Sequence, residues 1–173
     1  VYNEIIIFRE GPMLWIKVIL LFIAVPGIAD VLLPWLILTG GKALIYPAFG
    51  IWQGVALFFI LAGLAAVIWV CLEFIRYGHG TPAPFDPPRK FVAHGLYKWV
   101  RNPMYLGAGL FIPMGEALYF QSWGLVLYTA IAMLVLHLYI VYREEPELER
   151  RFGKPYLKYK RTVSRWIPKP PKK

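Results

Sequence analysis

Residues 49 to 76 read FGIWQGVALFFILAGLAAVIWVCLEFIR, an apolar run from Phe49 to Ile75 that closes on Arg76. A helix rises ~1.5 Å per residue and the hydrocarbon core of a bilayer is ~30 Å thick, so ~20 apolar residues cross it. This stretch is long enough to cross alone, and it sets how the flanking sequence is read. Upstream, Thr39 to Pro47, with Gly40-Gly41 and Lys42, is a short loop. Before it, Met13 to Leu38 is apolar except for Lys17 at its start and Asp30 inside, with Pro26, Gly27 and Pro34 as kink points. Downstream, Met104 to Phe120 and Trp123 to Tyr142 are two more apolar runs. Only Gln121-Ser122 separates them, which forces an antiparallel pair.

The expectation is an all-α, polytopic membrane bundle forming a single domain over residues 1–173, with spans at about 13–38, 49–75, 104–120 and 123–142. A break at Pro26 would turn the first run into a hairpin, raise the count to five and reverse the side of the amino terminus. Composition agrees with a membrane class: 58% of the 173 residues are apolar, and mean hydropathy is +0.53. The first ten residues lack the basic start and cleavage site of a signal peptide, so the first run is read as a retained span.

The net charge of +9 is unevenly placed. Basic residues gather in Arg76 to Arg101 and Arg143 to Lys173 and avoid the apolar runs, which is a pattern of location rather than of nucleic-acid binding. With four spans, the loops at Thr39 to Pro47 and Gln121-Ser122 share one side with a single Lys, and Arg9, Lys17 and both basic stretches share the other. The positive-inside rule then places both termini in the cytoplasm. Cys71, the only cysteine, lies within an apolar run, so neither an internal disulfide nor a multi-cysteine zinc site is expected, and no metal is called for.

Polar groups converge on the basic side. The loop Gly78 to Pro88 is too rich in Pro and Gly for a helix. The tail from Glu144 has Leu148, Phe152, Tyr156, Tyr159 and Val163 at helical spacing, with Gly153 and Pro155 splitting it in two, and its charged face suits water or anionic headgroups. Together with the segment His94 to Gly107 and the pair Glu144-Glu145, these form a cytoplasmic pocket between helix ends, apolar below and polar above.

The segment His94-Gly95-Leu96-Tyr97-Lys98-Trp99-Val100-Arg101-Asn102-Pro103-Met104-Tyr105-Leu106-Gly107, followed by Glu144-Glu145, Leu148, Phe152-Gly153, Tyr156, Tyr159 and Val163, resembles the signature of membrane methyltransferases. That group includes isoprenylcysteine carboxyl methyltransferase and phosphatidylethanolamine N-methyltransferase. The chain departs from the first at Arg101-Asn102-Pro103, where Arg-His-Pro is usual, so no role of that histidine carries over to Asn102. Its Asn-Pro-Met-Tyr run is similar to the phospholipid N-methyltransferases, in which a Gly-x-Gly and a Glu-Glu bind the methyl donor; Gly78-His79-Gly80 is the matching Gly-x-Gly.

The resemblance implies S-adenosylmethionine as cofactor and a lipid or other hydrophobic acceptor from the bilayer: a phospholipid amine, a prenylcysteine-type carboxylate or a thiol. The residue types suit that cofactor. Arg101 would pair with its carboxylate, Glu144 or Glu145 would accept from its ammonium or ribose, and Tyr97, Trp99 and Tyr105 would face its purine or sulfonium. Gly95 and Gly107 would allow close backbone approach, with Leu96, Asn102 and Pro103 completing the cofactor segment. Glu144-Glu145 is the first choice for taking a proton from an amine acceptor, with repulsion raising the pKa of at least one of the two. The bland alternative places the same pair at a helix amino terminus, favoured by the dipole, with Pro146 in the first turn. His137, in the last run, is read as a helix-linking residue outside the site. Two other classes stay open. Membrane sterol reductases resemble the same region and use NADPH, and a non-catalytic membrane scaffold would bind neither cofactor.

Overall fold

A computed structural model describes residues 24–78 and 91–171. The first half of the expected first span, Arg9, Lys17, His79, Gly80 and the rest of the loop to Pro88 lie outside the described residues. Within them every regular element is helical. Helix α1 covers Ala24–Thr39 and α2 covers Ile51–Glu73. Helix α3 (103–119) joins Pro103–Tyr105, Leu106–Phe111 and Ile112–Tyr119; α4 runs Trp123–Phe152 and α5 Lys154–Thr162. A single 3-10 turn, Gly95–Lys98, precedes α3.

Helices α2 and α4 are long and apolar enough to cross a membrane, and only 17% of each apolar window is buried. Their apolar side chains therefore point outward, as with Phe58, Leu61 and Ile68 on α2 and Leu127, Ile131 and Leu134 on α4. Polar side chains point inward instead. Gln53 and Thr129 are buried, Thr129 donating to the Leu125 carbonyl and Gln53 donating from Nε2 to the Tyr119 carbonyl at 2.9 Å, which ties the start of α2 to the end of α3.

Small residues let the helices approach. A Cβ added at Gly63 of α2 would lie 2.8 Å from the Gly107 carbonyl oxygen of α3, and one added at Gly107 would lie 2.8 Å from that of Gly63. Gly115 meets the Ala56 carbonyl in the same seam, whereas Gly109 faces Leu136 of α4. Tyr128 of α4 donates to the Ala29 carbonyl at 2.7 Å, seating α1 on the outer side of α4.

Among the described residues α2 ends in a π-helical turn, Phe74–Gly78, and three helices carry such a wide turn within them: Gly27–Leu32, Leu106–Phe111 and Ile140–Glu144. Each of these three precedes a proline, at Pro34, Pro113 and Pro146. A proline lacks the N–H and crowds the carbonyl four residues earlier, and a widened turn relieves both problems without ending the helix. The sequence reading started a new helix near Pro146; instead α4 passes through it, and Glu144-Glu145 lie in the interior of a continuous helix. The helix-dipole account of that pair is thereby removed. The expected break at Gly153 is present, with φ 56° ending α4.

Candidate active site

At the basic end of α4, four separated stretches, one of them the continuation of α2 at Phe74, surround a cavity of about 710 Å³. Residues 91–105 supply Phe91, Tyr97, Arg101, Asn102 and Tyr105; α4 supplies Tyr139 to Phe152; and α5 supplies Tyr156 and Tyr159. The wall at Phe91 is aromatic, with its ring 5.5, 5.7 and 5.1 Å from those of Phe152, Tyr156 and Tyr159.

The two acidic neighbours are held differently. Glu144 Oε2 accepts from the Tyr105 hydroxyl at 2.8 Å. Burial pushes its carboxyl above the ordinary value; the Tyr105 bond opposes this and the Glu145 charge adds to it. Glu145 is also buried, which alone would raise it, but hydrogen bonds from Arg165 and Lys160 and the Arg101 charge prevail and hold it below the ordinary value.

Four cationic nitrogens crowd the Glu145 carboxylate. Arg165 donates from Nε to Oε1 at 2.7 Å and from Nη2 to Oε2 at 3.0 Å, and Lys160 Nζ lies 2.9 Å from Oε2. Arg101 Nη1 lies 2.9 Å from Oε1 without hydrogen-bond geometry, so its Nε and Nη1 are buried with no acceptor. A carboxylate offers about four lone-pair sites, and Arg165 and Lys160 between them take most of those of Glu145. Glu144 has one oxygen left, and Arg101 has two unsatisfied donors.

The tail beyond α5 folds back over this site. Arg101 N donates to the Ser164 carbonyl at 2.9 Å, Asn102 Nδ2 to the Arg165 carbonyl at 3.2 Å, Lys169 N to the Trp99 carbonyl at 2.9 Å, and the Tyr159 hydroxyl to the Tyr97 carbonyl at 2.8 Å. Trp166 Nε1 donates to His137 Nδ1 at 2.9 Å. His137 is thus a linking residue, although its partner is the tail and not a second helix.

Of the residues singled out from sequence, Tyr97, Arg101, Asn102, Tyr105, Glu144 and Glu145 line the cavity. Those of the others that the structure describes lie outside its lining. His94 stacks on Tyr77 with centroids 4.5 Å apart; Gly95 lies against the Glu73 carboxylate and Trp69; the Leu96 carbonyl accepts from Trp99 N and Val100 N; Pro103 opens α3; and Gly107 packs on α2. Gly78 ends the turn that continues α2. Sequence reasoning missed Lys160 and Arg165, which it counted among headgroup contacts. Their one local signal is the Arg165-Trp166 pair, an anchor-like dipeptide just where the helical spacing stops at Val163.

The family model for phospholipid methyltransferases matches residues 49–155, from the start of α2 into α5. This chain belongs to the phospholipid methyltransferase family. No curated protein and no solved structure matches it. Membership in the phospholipid methyltransferases makes the chain a membrane-associated methyltransferase with phospholipid as its acceptor class. The match spans most of the cavity lining but ends before Tyr156, Tyr159 and the residues of the returning tail. The nicotinamide-dependent reading draws no support from it.

Proposed function

We propose that this phospholipid methyltransferase is a single, multi-pass membrane domain with four spans, cytoplasmic termini and a cytoplasmic cavity that holds S-adenosylmethionine beside a phospholipid headgroup amine. The observation that carries the proposal is the meeting of a cation and an acid in one cavity: Arg101, whose buried Nε and Nη1 have no hydrogen-bond acceptor, and Glu144, with one oxygen unclaimed. The cofactor's amino-acid end needs such a set, a carboxylate for Arg101 and an ammonium for an acidic side chain. Tyr97 and Tyr105 supply aromatic faces for its cationic sulfur.

S-adenosylmethionine supplies, when bound, an electrophilic methyl group on sulfonium. The chain's own task is alignment, exclusion of water and removal of one proton. A headgroup ammonium must lose a proton before its nitrogen lone pair attacks carbon. Glu144, with a carboxyl raised by burial, is suited to take that proton, and the Tyr105 hydroxyl fixes the carboxyl in place. Glu145, saturated by cations, orders the site and stays ionised.

The test is ligand stabilisation of the purified chain in detergent. S-adenosylhomocysteine at one hundred times its dissociation constant is expected to add ~2.7 kcal/mol of stability, and NADPH none. Methyl incorporation into phosphatidylethanolamine vesicles should follow. Stabilisation by NADPH and not by S-adenosylhomocysteine would end this reading.

A further inference from the structure

The strongest remaining feature is the returning tail, which the family match does not reach. It grips residue 101 at two points. Its Ser164 carbonyl takes the Arg101 backbone N–H, and its Arg165 side chain takes the carboxylate that faces the Arg101 guanidinium. The Arg165 carbonyl also accepts from the neighbouring Asn102 side chain, and Trp166 fastens the segment to His137, eight residues before Glu145 on α4.

Arg165 is the only one of the three cations that bonds both Glu145 oxygens in a fork. A guanidinium fork fixes the plane of a carboxylate, which a lone ammonium such as Lys160 does not. While Arg165 occupies that plane, Arg101 is kept from closing a bidentate pair of its own with Glu145, and its donors stay unsatisfied. Three cations around one carboxylate also leave the cluster positive, with only Lys160 shared with a second acid, Glu149, at 2.6 Å.

We infer that Arg165 is a positioning residue: by holding Glu145 it keeps the Arg101 guanidinium out of a hydrogen-bonded pair with that carboxylate, leaving it for the carboxylate of the methyl donor. This rests on the cofactor assignment proposed above. Without Arg165, Arg101 would close onto Glu145 and be withdrawn from the ligand. The loss should therefore be specific to the ligand's carboxylate.

The experiment compares S-adenosylhomocysteine with S-adenosyl-3-thiopropylamine, the same molecule without its carboxylate, by calorimetric titration of the full chain in detergent. Wild type should bind the carboxylate-bearing ligand more tightly. Arg165→Ala should lose roughly tenfold in affinity for it, the size of one charge-assisted interaction, while changing affinity for the amine by less than about twofold. Arg165→Lys, which keeps the charge but not the fork, should fall between, and it carries the same comparison if Arg165→Ala does not fold. Equal losses for both ligands would mean a merely structural role, and retained preference in both variants would mean none; either overturns the inference alone. A wild type that binds neither ligand overturns the cofactor assignment and this inference with it, and a wild type that binds both equally removes Arg101 as the carboxylate partner.

Discussion

At adjacent positions on one helix, Glu144 takes a single hydrogen bond from Tyr105 while Glu145 collects Arg101, Lys160 and Arg165, so their pH dependences have opposite sign. Glu145 has a lowered pKa, so its contribution to stability is complete above the ordinary value of 4.5 and is lost as pH falls through the lowered one. Glu144 has a raised pKa, so its charged form is disfavoured and appears only as pH rises past 4.5. If Glu144 takes the acceptor's proton, the rate of methyl transfer should climb with pH above that point. Glu144→Gln should remove this limb and lower the rate about 10²- to 10⁴-fold, whereas Glu145→Gln should instead lower the free energy of unfolding by the ~3 kcal/mol typical of stranding a buried charge, and with it the melting temperature. Rate profiles and melts of the two variants check this; a wild-type rate limb surviving in Glu144→Gln would remove it as the base. The acidic pair was legible in sequence as a pair. Its division of labour was not, because the partners that separate the two sit far off in sequence, Tyr105 39 residues before Glu144 and Arg165 20 after Glu145, with Arg101 further upstream still.

At the level of elements, the apolar runs gave α2, α3 and the start of α4 to within about two residues, because a run of ~20 apolar residues has few other uses. The continuation of α4 through Pro146 was hidden, since a proline after two acids reads as a first turn and the wide turn that tolerates it leaves no mark in the sequence. The seam between α2 and α3 was equally silent. Glycines at 63 and 107 become meaningful only once the two backbones are seen in contact. Gly63→Ala should force the helices apart and cost about 1–3 kcal/mol, the range for overpacking. Gly54→Ala on the same helix, where an added Cβ meets nothing, should leave the thermal midpoint in detergent unchanged or slightly raised. Equal effects at the two positions would contradict the close approach.

For the whole molecule, the proposed four spans would place the turn at Gln121-Ser122 and the cavity on opposite faces of the membrane. In a background with Cys71→Ala, Ser122→Cys should react with a membrane-impermeant maleimide added to intact cells, and Thr162→Cys only after permeabilisation. The reverse pattern would invert the orientation, and labelling of both from outside would refute the four-span topology. Charge placement carries the expected orientation in the sequence, but it does not reveal that basic tail residues return to the site.

That return has a consequence during synthesis. Glu145 enters the growing chain 20 residues before Arg165, and ribosomes add about 5–20 residues per second, so for roughly one to four seconds the carboxylate exists without its fork. Until the tail is in place, the end of α4 that carries Glu145 stays in water, since burying that carboxylate unpartnered is prohibitive. The final seating of α4 therefore waits for the tail, and a released chain truncated between residues 145 and 165 is left with its site open and that helix end exposed to proteases.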